Sequence, residues 1–207
     1  MSTRTMRDRF ADEETTPDML RKLHAAGPGN LITASLNRNT LQVTRSRDLP
    51  PGNRACVIIY GHGDLIHDLA CYDGDWNEVA DAVTDTTWDC LDGWASAAMR
   101  LTPLQRALRD DMRVHRMDLD RRPVYKRTLD SRLEVSDTYA WRTDTTITFT
   151  TRTTPAREGT GNAHLALTMH HQGQPVRAWN SRLVRTETAR VVREAPDRAR
   201  AYLAALP

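Results

Sequence analysis

The stretch AHLALTMHHQGQPVRAWNSRLVR, Ala163 to Arg185, alternates apolar and polar residues on both sides of the turn QGQ. A period of two belongs to a pleated strand with one face on a core and the other toward water, so the stretch predicts an antiparallel hairpin. Leu165, Leu167 and Met169, with Val176 and Ala178, take the core side; His164, Thr168 and His170, with Arg177, Trp179 and Ser181, take the other. The alternation extends upstream through LEVSDTYAWR and TTITFTTRTT, where Ile147 and Phe149 point inward and Thr146, Thr148, Thr150 and Arg152 outward. Four strands between Leu133 and Arg185 follow, interrupted by the loop PAREGTGN, and the helical segment from Thr186, with Pro196 inside it, closes them.

The first half has the same outline. Thr16 caps and Pro17 opens a helix over 17–26 that stops at Gly27. NLITASLN and TLQVTRS flank Arg38-Asn39 as one hairpin, and RACVIIYGHG and DLIHDLACYDG form a second about Gly61 to Asp64, giving four strands between Leu31 and Tyr72. Beyond them Trp76, Val79, Ala80, Val83, Thr87, Cys90, Leu91, Trp94 and Ala98 recur at three-and-four spacing, the mark of a long amphipathic helix over 76–99. A further helix opens at Thr102 with Pro103 at its first position and Gln105 completing a capping box, and ends near His115. A connector follows, in which Pro123 to Lys126 forms a short edge strand. The expected fold class is α+β: two four-stranded antiparallel sheets, each followed by an amphipathic helix, a pseudo-duplicated ββββα with a helical spacer. Residues 1–15 are expected to be a disordered leader, 16–100 the first half and 101–207 the spacer plus the second half, with the halves separate or merged.

Charge is distributed unevenly. The 207 residues carry a net +2, but residues 1–100 hold 10 Lys+Arg against 15 Asp+Glu and residues 101–207 hold 19 against 12. The second half is thus suited to an anionic partner. Only Lys22 and Lys126 are lysines; arginine's planar fork suits phosphate, and a GC-rich bacterial or phage genome yields the same bias. No apolar run reaches the roughly 18 to 20 residues that span a bilayer, and the polar start is no secretory signal. A cytoplasmic protein without membrane contact is expected. Cys56, Cys71 and Cys90 match neither a disulfide framework nor a zinc knuckle and read as buried, reduced thiols.

Aromatic rings among arginines on a sheet face are what single-stranded DNA or RNA requires, since bases stack on the rings while guanidinium groups hold phosphates. Tyr139, Trp141, Arg142, Arg152, His170, Arg177, Trp179 and Arg182 form the candidate nucleic-acid interface on this reading. In layout, four strands then a helix stated twice over residues 31–206 resembles the whirly and PUR-type single-strand binders. That likeness implies a sheet face presenting aromatic and basic groups; it matches no residue motif and transfers no site.

Two other readings stand beside it. The acidic first half, with Asp81, Asp85, Asp89 and Asp92 along one helix face, and the basic second half suit a protein-interaction or inhibitor protein of a mobile element, docking to partners or to copies of itself. Alternatively, the His/Asp hairpin YGHGDLIHDLACYDGD would serve a metal-dependent hydrolase or small-ligand protein, with His62, His67 and Asp68 as metal ligands. The sequence has no G-x-S-x-G elbow, Walker loop, G-x-G-x-x-G or H-E-x-x-H. No cofactor and no catalytic residue is expected.

Overall fold

The computed structural model describes residues 5–49, 56–94, 109–110, 112–113, 117–127, 133–142, 145–153, 163–171, 174–183 and 201. The fold is α+β with antiparallel sheets, and the chain divides into two compact units, Met1–Arg100 with Leu119–Arg122, and Leu101–Asp118 with Pro123–Pro207. Among the described residues no helix is long and apolar enough to cross a membrane.

The first unit begins inside the stretch expected to be a leader. A helical turn, α1 (Met6–Arg9), leads to Phe10, which is 1% exposed in the core. Arg9 Nη2 donates to Asn39 Oδ1 at 2.8 Å and to the Leu36 carbonyl, and Glu13 Oε2 accepts the Leu41 N–H at 2.7 Å. One buried aromatic and two tethers to the neighbouring turn thus order a segment whose composition is that of a tail.

The helix α2 (Pro17–Ala26) matches the expected bounds. Thr16 Oγ1 accepts the Met19 N–H at 3.2 Å, and Gly27, at φ 76°, donates its N–H to Leu23 and His24 carbonyls. β1 (Asn30–Ser35) pairs antiparallel with β2 (Thr40–Arg45) through the expected turn, where Asn39 takes φ 55°. β3 (Cys56–Gly61) pairs with the other edge of β1, giving the order β2-β1-β3.

The sheet ends there, with three strands and not four. The stretch read as the second arm of a hairpin is the helix α3 (His62–Cys71), followed by α4 (Trp76–Trp94). Two signals outweighed the strand reading. Asp64 sits at the third helical position and its Oδ2 accepts the Gly61 N–H at 3.0 Å, a helix-start device. Leu65 and Leu69, one helical turn apart, pack toward the core while Ile66 between them is 45% exposed. The core of this unit gathers Phe10, Leu20, Leu23, Ile32, Val57, Ile59, Leu65, Val79, Val83 and Leu91 from all these elements. Of the three thiols, Cys56 and Cys90 are buried as expected and Cys71 is exposed; none of the three forms a disulfide.

The second unit is built on a six-stranded sheet. Two short strands, β4 (Asp118–Leu119) and β5 (Val124–Arg127), precede β6 (Leu133–Arg142), β7 (Thr145–Thr153), β8 (Ala163–His171) and β9 (Gln174–Leu183). The order is β4-β6-β7-β8-β9, with β5 also pairing β6; β5–β6, β6–β7, β7–β8 and β8–β9 are antiparallel. The four long strands and the short strand at Val124 agree with the sequence reading. Because the first sheet has three strands, the repeated ββββα layout is only partly present. The closing helical segment from Thr186 lies outside the described residues apart from Ala201, which is helical, as does most of the helix expected from Thr102, of which 109–110 and 112–113 are helical.

Faces of the second sheet are fixed by burial and register. Val135, Asp137 and Tyr139 of β6 and Ile147 and Phe149 of β7 are buried, as are Met112 and Met117 of the same unit. Alternating with them, Glu134, Ser136, Thr138, Ala140, Thr146, Thr148, Thr150, Ala166, Thr168 and His170 are all partly exposed. Tyr139, expected on the open face, is 2% exposed and meets Phe149 edge-to-face at 5.9 Å between centroids.

The faces of β9 are also reversed relative to expectation. At its start His171 opposes Gln174 and His170 opposes Pro175; past a register shift, Met169 opposes Arg177 and Leu167 opposes Trp179. Without the shift, Ala178 would oppose Leu167 and Val176 would oppose Met169, as plain alternation predicts. One extra residue on β9 exchanges the two faces for the rest of the strand. Positions 177 and 179 therefore stand in the cross-strand rows of Tyr139–Ile147–Met169 and Asp137–Phe149–Leu167, the buried side.

Candidate functional site

The open side of the second sheet consists of four cross-strand rows. The first runs Glu134, Arg152, His164, Arg182 from β6 to β9. The second is Ser136, Thr150, Ala166, Asn180; the third is Thr138, Thr148, Thr168, Ala178. The fourth, beside the bulges, is Ala140, Thr146, His170, Pro175. Small hydroxyl-bearing residues fill the middle, and hydroxyls pair across strands: Ser136 with Thr150 at 2.8 Å and Thr138 with Thr148 at 3.0 Å. The middle positions are hydroxyl-bearing, and positions 152, 164 and 182 in the first row are basic residues.

Of the eight residues in the candidate nucleic-acid interface, the register brings Arg152 and Arg182 into one row on the open side, separated by His164, with His170 on the same side at the opposite end. Trp141 and Arg142 lie at a bulge of β6: Ala140 opposes Thr146, Arg142 opposes Thr145, and position 141 has no register partner. Tyr139, Arg177 and Trp179 belong to the buried rows. The sequence reading missed Glu134 and did not select His164, although each shares parity with a residue it did choose. What linked them was strand register, which alternation within one strand does not reveal.

Behind the sheet lies a buried ion pair, also missed. Arg109, in a helical turn with Met112, donates from Nε to Asp137 Oδ2 at 2.7 Å and from Nη2 to Asp137 Oδ1 at 2.6 Å. Burial works against the guanidinium charge, but the facing Asp137 carboxylate outweighs it and holds the group charged. Among the described residues, Arg109 Nη1 and the Tyr139 hydroxyl find no hydrogen-bond partner although both are buried. Burial and then the Asp137 charge raise the Tyr139 phenol well above its ordinary range, so it stays protonated.

In the first unit the His/Asp cluster forms a corner and does not converge as a ligand set. His62 opens α3 and its Nδ1 lies 3.8 Å from Asp120 Oδ1. Burial pushes the imidazole below its ordinary range, Asp120 pulls it back, and His24, at 6.0 Å between ring centroids, adds to the lowering. Asp120 Oδ1 accepts the Gly29 N–H at 3.0 Å and its carbonyl accepts the Gly63 N–H at 2.8 Å. Asp68 instead accepts the Tyr60 hydroxyl at 2.5 Å, and His67 Nε2 lies 3.7 Å from Cys71 Sγ. Among the described residues no group of three His, Cys, Asp or Glu side chains could hold a metal ion.

No family model, curated protein or solved structure matches this chain. The functional reading therefore rests on the geometry of its own residues.

Proposed function

We propose that this protein binds nucleic acid, in particular single-stranded DNA or RNA, through the open side of its second sheet. The observation that carries the reading is the row in which Arg152 opposes His164 and His164 opposes Arg182. Strands lie about 4.8 Å apart, so three basic positions span roughly 10 Å, a distance on the scale of a short run of phosphates. The hydroxyls of Ser136, Thr138, Thr146, Thr148, Thr150 and Thr168 extend the surface with neutral partners for phosphate and sugar oxygens. The basic balance of the second half supplies long-range attraction. With Tyr139 in the core and position 179 in a buried row, Trp141, at the β6 bulge beside Arg142, is the remaining ring of the candidate interface on which a base could stack.

Electrophoretic mobility of labelled single-stranded DNA, duplex DNA and RNA, at two salt concentrations, tests this. Single strands are expected to bind more tightly than duplex and to be released as salt rises. Trp141→Ala is expected to lower single-strand affinity by about 1–3 kcal/mol, the value of a lost stack. Absence of a shift with all three probes at low salt overturns the reading.

A further inference from the structure

Helix α3 turns Leu65 and Leu69 toward the core, which leaves Ile66, His67, Ala70 and Cys71 on its outward arc, all four exposed. His67 and Cys71 are one helical turn apart, and His67 Nε2 lies 3.7 Å from Cys71 Sγ. The neighbour of His67 is thus a thiol on the next turn and not the carboxylate of Asp68, which the Tyr60 hydroxyl engages. We propose that His67 and Cys71 are half of a zinc site, completed by the same pair from a second copy of this chain, so that one Zn²⁺ joins two α3 helices across a twofold axis.

The distance fits the metal. Zinc holds a cysteine sulfur at about 2.3 Å and a histidine nitrogen at about 2.0–2.1 Å, so two such ligands at the tetrahedral angle stand roughly 3.6 Å apart. The 3.7 Å observed needs only a small adjustment of two exposed side chains. Ligands at i and i+4 share one helix face, the spacing at which a single helix offers a metal two ligands. Structural zinc takes four protein ligands, and one chain supplies two here: among the described residues no group of three His, Cys, Asp or Glu side chains could hold a metal ion. A twofold axis through the metal doubles the pair to two cysteines and two histidines, with no further residue required.

The surroundings suit a second copy. Each thiol gives its proton to the buffer as its sulfur bonds to the metal. Two thiolates and two neutral imidazoles then cancel the charge of Zn²⁺, leaving a neutral centre that can be covered at little electrostatic cost. Beside it on the same arc lie Ala70 and Ile66, the latter 45% exposed and one of three large hydrophobic side chains that the described residues leave open to water. Facing helices would cover these side chains as the metal closes.

The test follows full-length protein by sedimentation velocity, with a thiol-free phosphine reductant throughout, so that no disulfide through Cys71 can supply a dimer. Samples contain chelator, Zn²⁺, or Zn²⁺ followed by excess chelator, and calorimetric titration gives the stoichiometry. The expected result is a monomer in chelator and a dimer with one zinc per two chains, reversed when chelator returns. His67→Gln and Cys71→Ser are each expected to weaken zinc-driven dimerisation by at least the roughly 100-fold that loss of an outer-shell partner can cost. His67→Cys, which keeps a ligand at that position, is expected to restore it. Equal urea midpoints of all four proteins in chelator show that the variants are folded. With Co²⁺ in place of zinc, the wild type is expected to show thiolate-to-metal charge-transfer absorption that Cys71→Ser lacks. Failure to bind zinc, one zinc per chain without dimerisation, a dimer that chelator leaves intact, or a zinc-dependent dimer that neither ligand variant weakens overturns the proposal.

Discussion

Asp64 has more consequence than its place in an apparent turn suggests. Its Oδ2 accepts N–H groups from Gly61 at 3.0 Å and from Arg122 at 2.6 Å, joining the start of α3 to a segment distant in sequence. Burial nevertheless raises its pKa from 3.8 to about 6, with the two N–H donors and Arg121 and Arg122 pulling it down. A folded value above the unfolded one means that the group's contribution to stability is fully present below pH 3.8 and is lost as pH rises through 6. Asp64→Asn does not titrate. The difference in unfolding free energy between wild type and this variant, measured in urea at pH 4 and pH 7, is expected to shift by on the order of 2–3 kcal/mol against the wild type at the higher pH. A constant difference would contradict this account.

The Arg109–Asp137 pair invites a second comparison at the same scale. Removing one partner strands a buried charge, so Arg109→Ala is expected to cost about 3–5 kcal/mol. Tyr139→Phe removes only a buried hydroxyl that has no hydrogen-bond partner among the described residues and keeps the ring against Phe149, so stability is expected to hold or rise by about 1 kcal/mol. Urea midpoints separate the two. Nucleic-acid affinity is expected to be unchanged by Tyr139→Phe, since the ring faces the core.

At the scale of elements, the β3–α3 corner depends on two glycines for different reasons. A Cβ on Gly61 would meet the Asp120 carbonyl oxygen at 2.2 Å, a backbone atom with little freedom to move. A Cβ on Gly63 would meet Asp120 Oδ2 at 2.5 Å, the end of a side chain that can rotate. Gly61→Ala is therefore expected to destabilise by about 3 kcal/mol or more and Gly63→Ala by about 1–3 kcal/mol, read from thermal or urea unfolding. The opposite ranking would mean that the backbone at Asp120 yields more readily than its side chain.

The same corner shows where reading the chain alone stopped. Elements with strong local signals were legible: the Thr16–Pro17 start of α2, the three-and-four spacing of α4, and the period of two in β6 through β9. The segment from His62 to Cys71 was not, because Gly-His-Gly is turn chemistry in isolation and its helix start depends on a carboxylate three positions into the helix. The open face was legible in kind but only partly in membership. A single added residue in β9 reverses which side of the sheet Arg177 and Trp179 occupy, and nothing in their immediate neighbours announces it. Glu134, His164 and Arg109 become visible only once distant strands and helices are aligned.

Over the whole molecule, charge separates with the chain, the first hundred residues acidic and the remainder basic. Under the binding reading the anion meets a small number of cationic positions, so salt dependence counts them. With roughly 0.7 counterions released per phosphate neutralised on a single strand, three basic positions predict a slope of log affinity against log salt near −2. Arg152→Ala and Arg182→Ala are each expected to make it shallower by about one contact. A slope that neither variant alters would place the contact elsewhere on the protein.

The division of the chain has one more implication, for synthesis. Residues Leu119–Arg122 belong to the first unit, whereas the stretches before and after them belong to the second. Asp120 supplies the carboxylate beside His62 and the acceptors for Gly29 and Gly63, so the amino-terminal unit lacks its keystone until the ribosome has already released part of its successor. A stop codon or protease cut at the apparent border near Arg100 would leave an amino-terminal product without the Asp120 acceptors for Gly29 and Gly63, an empty notch in place of a finished domain.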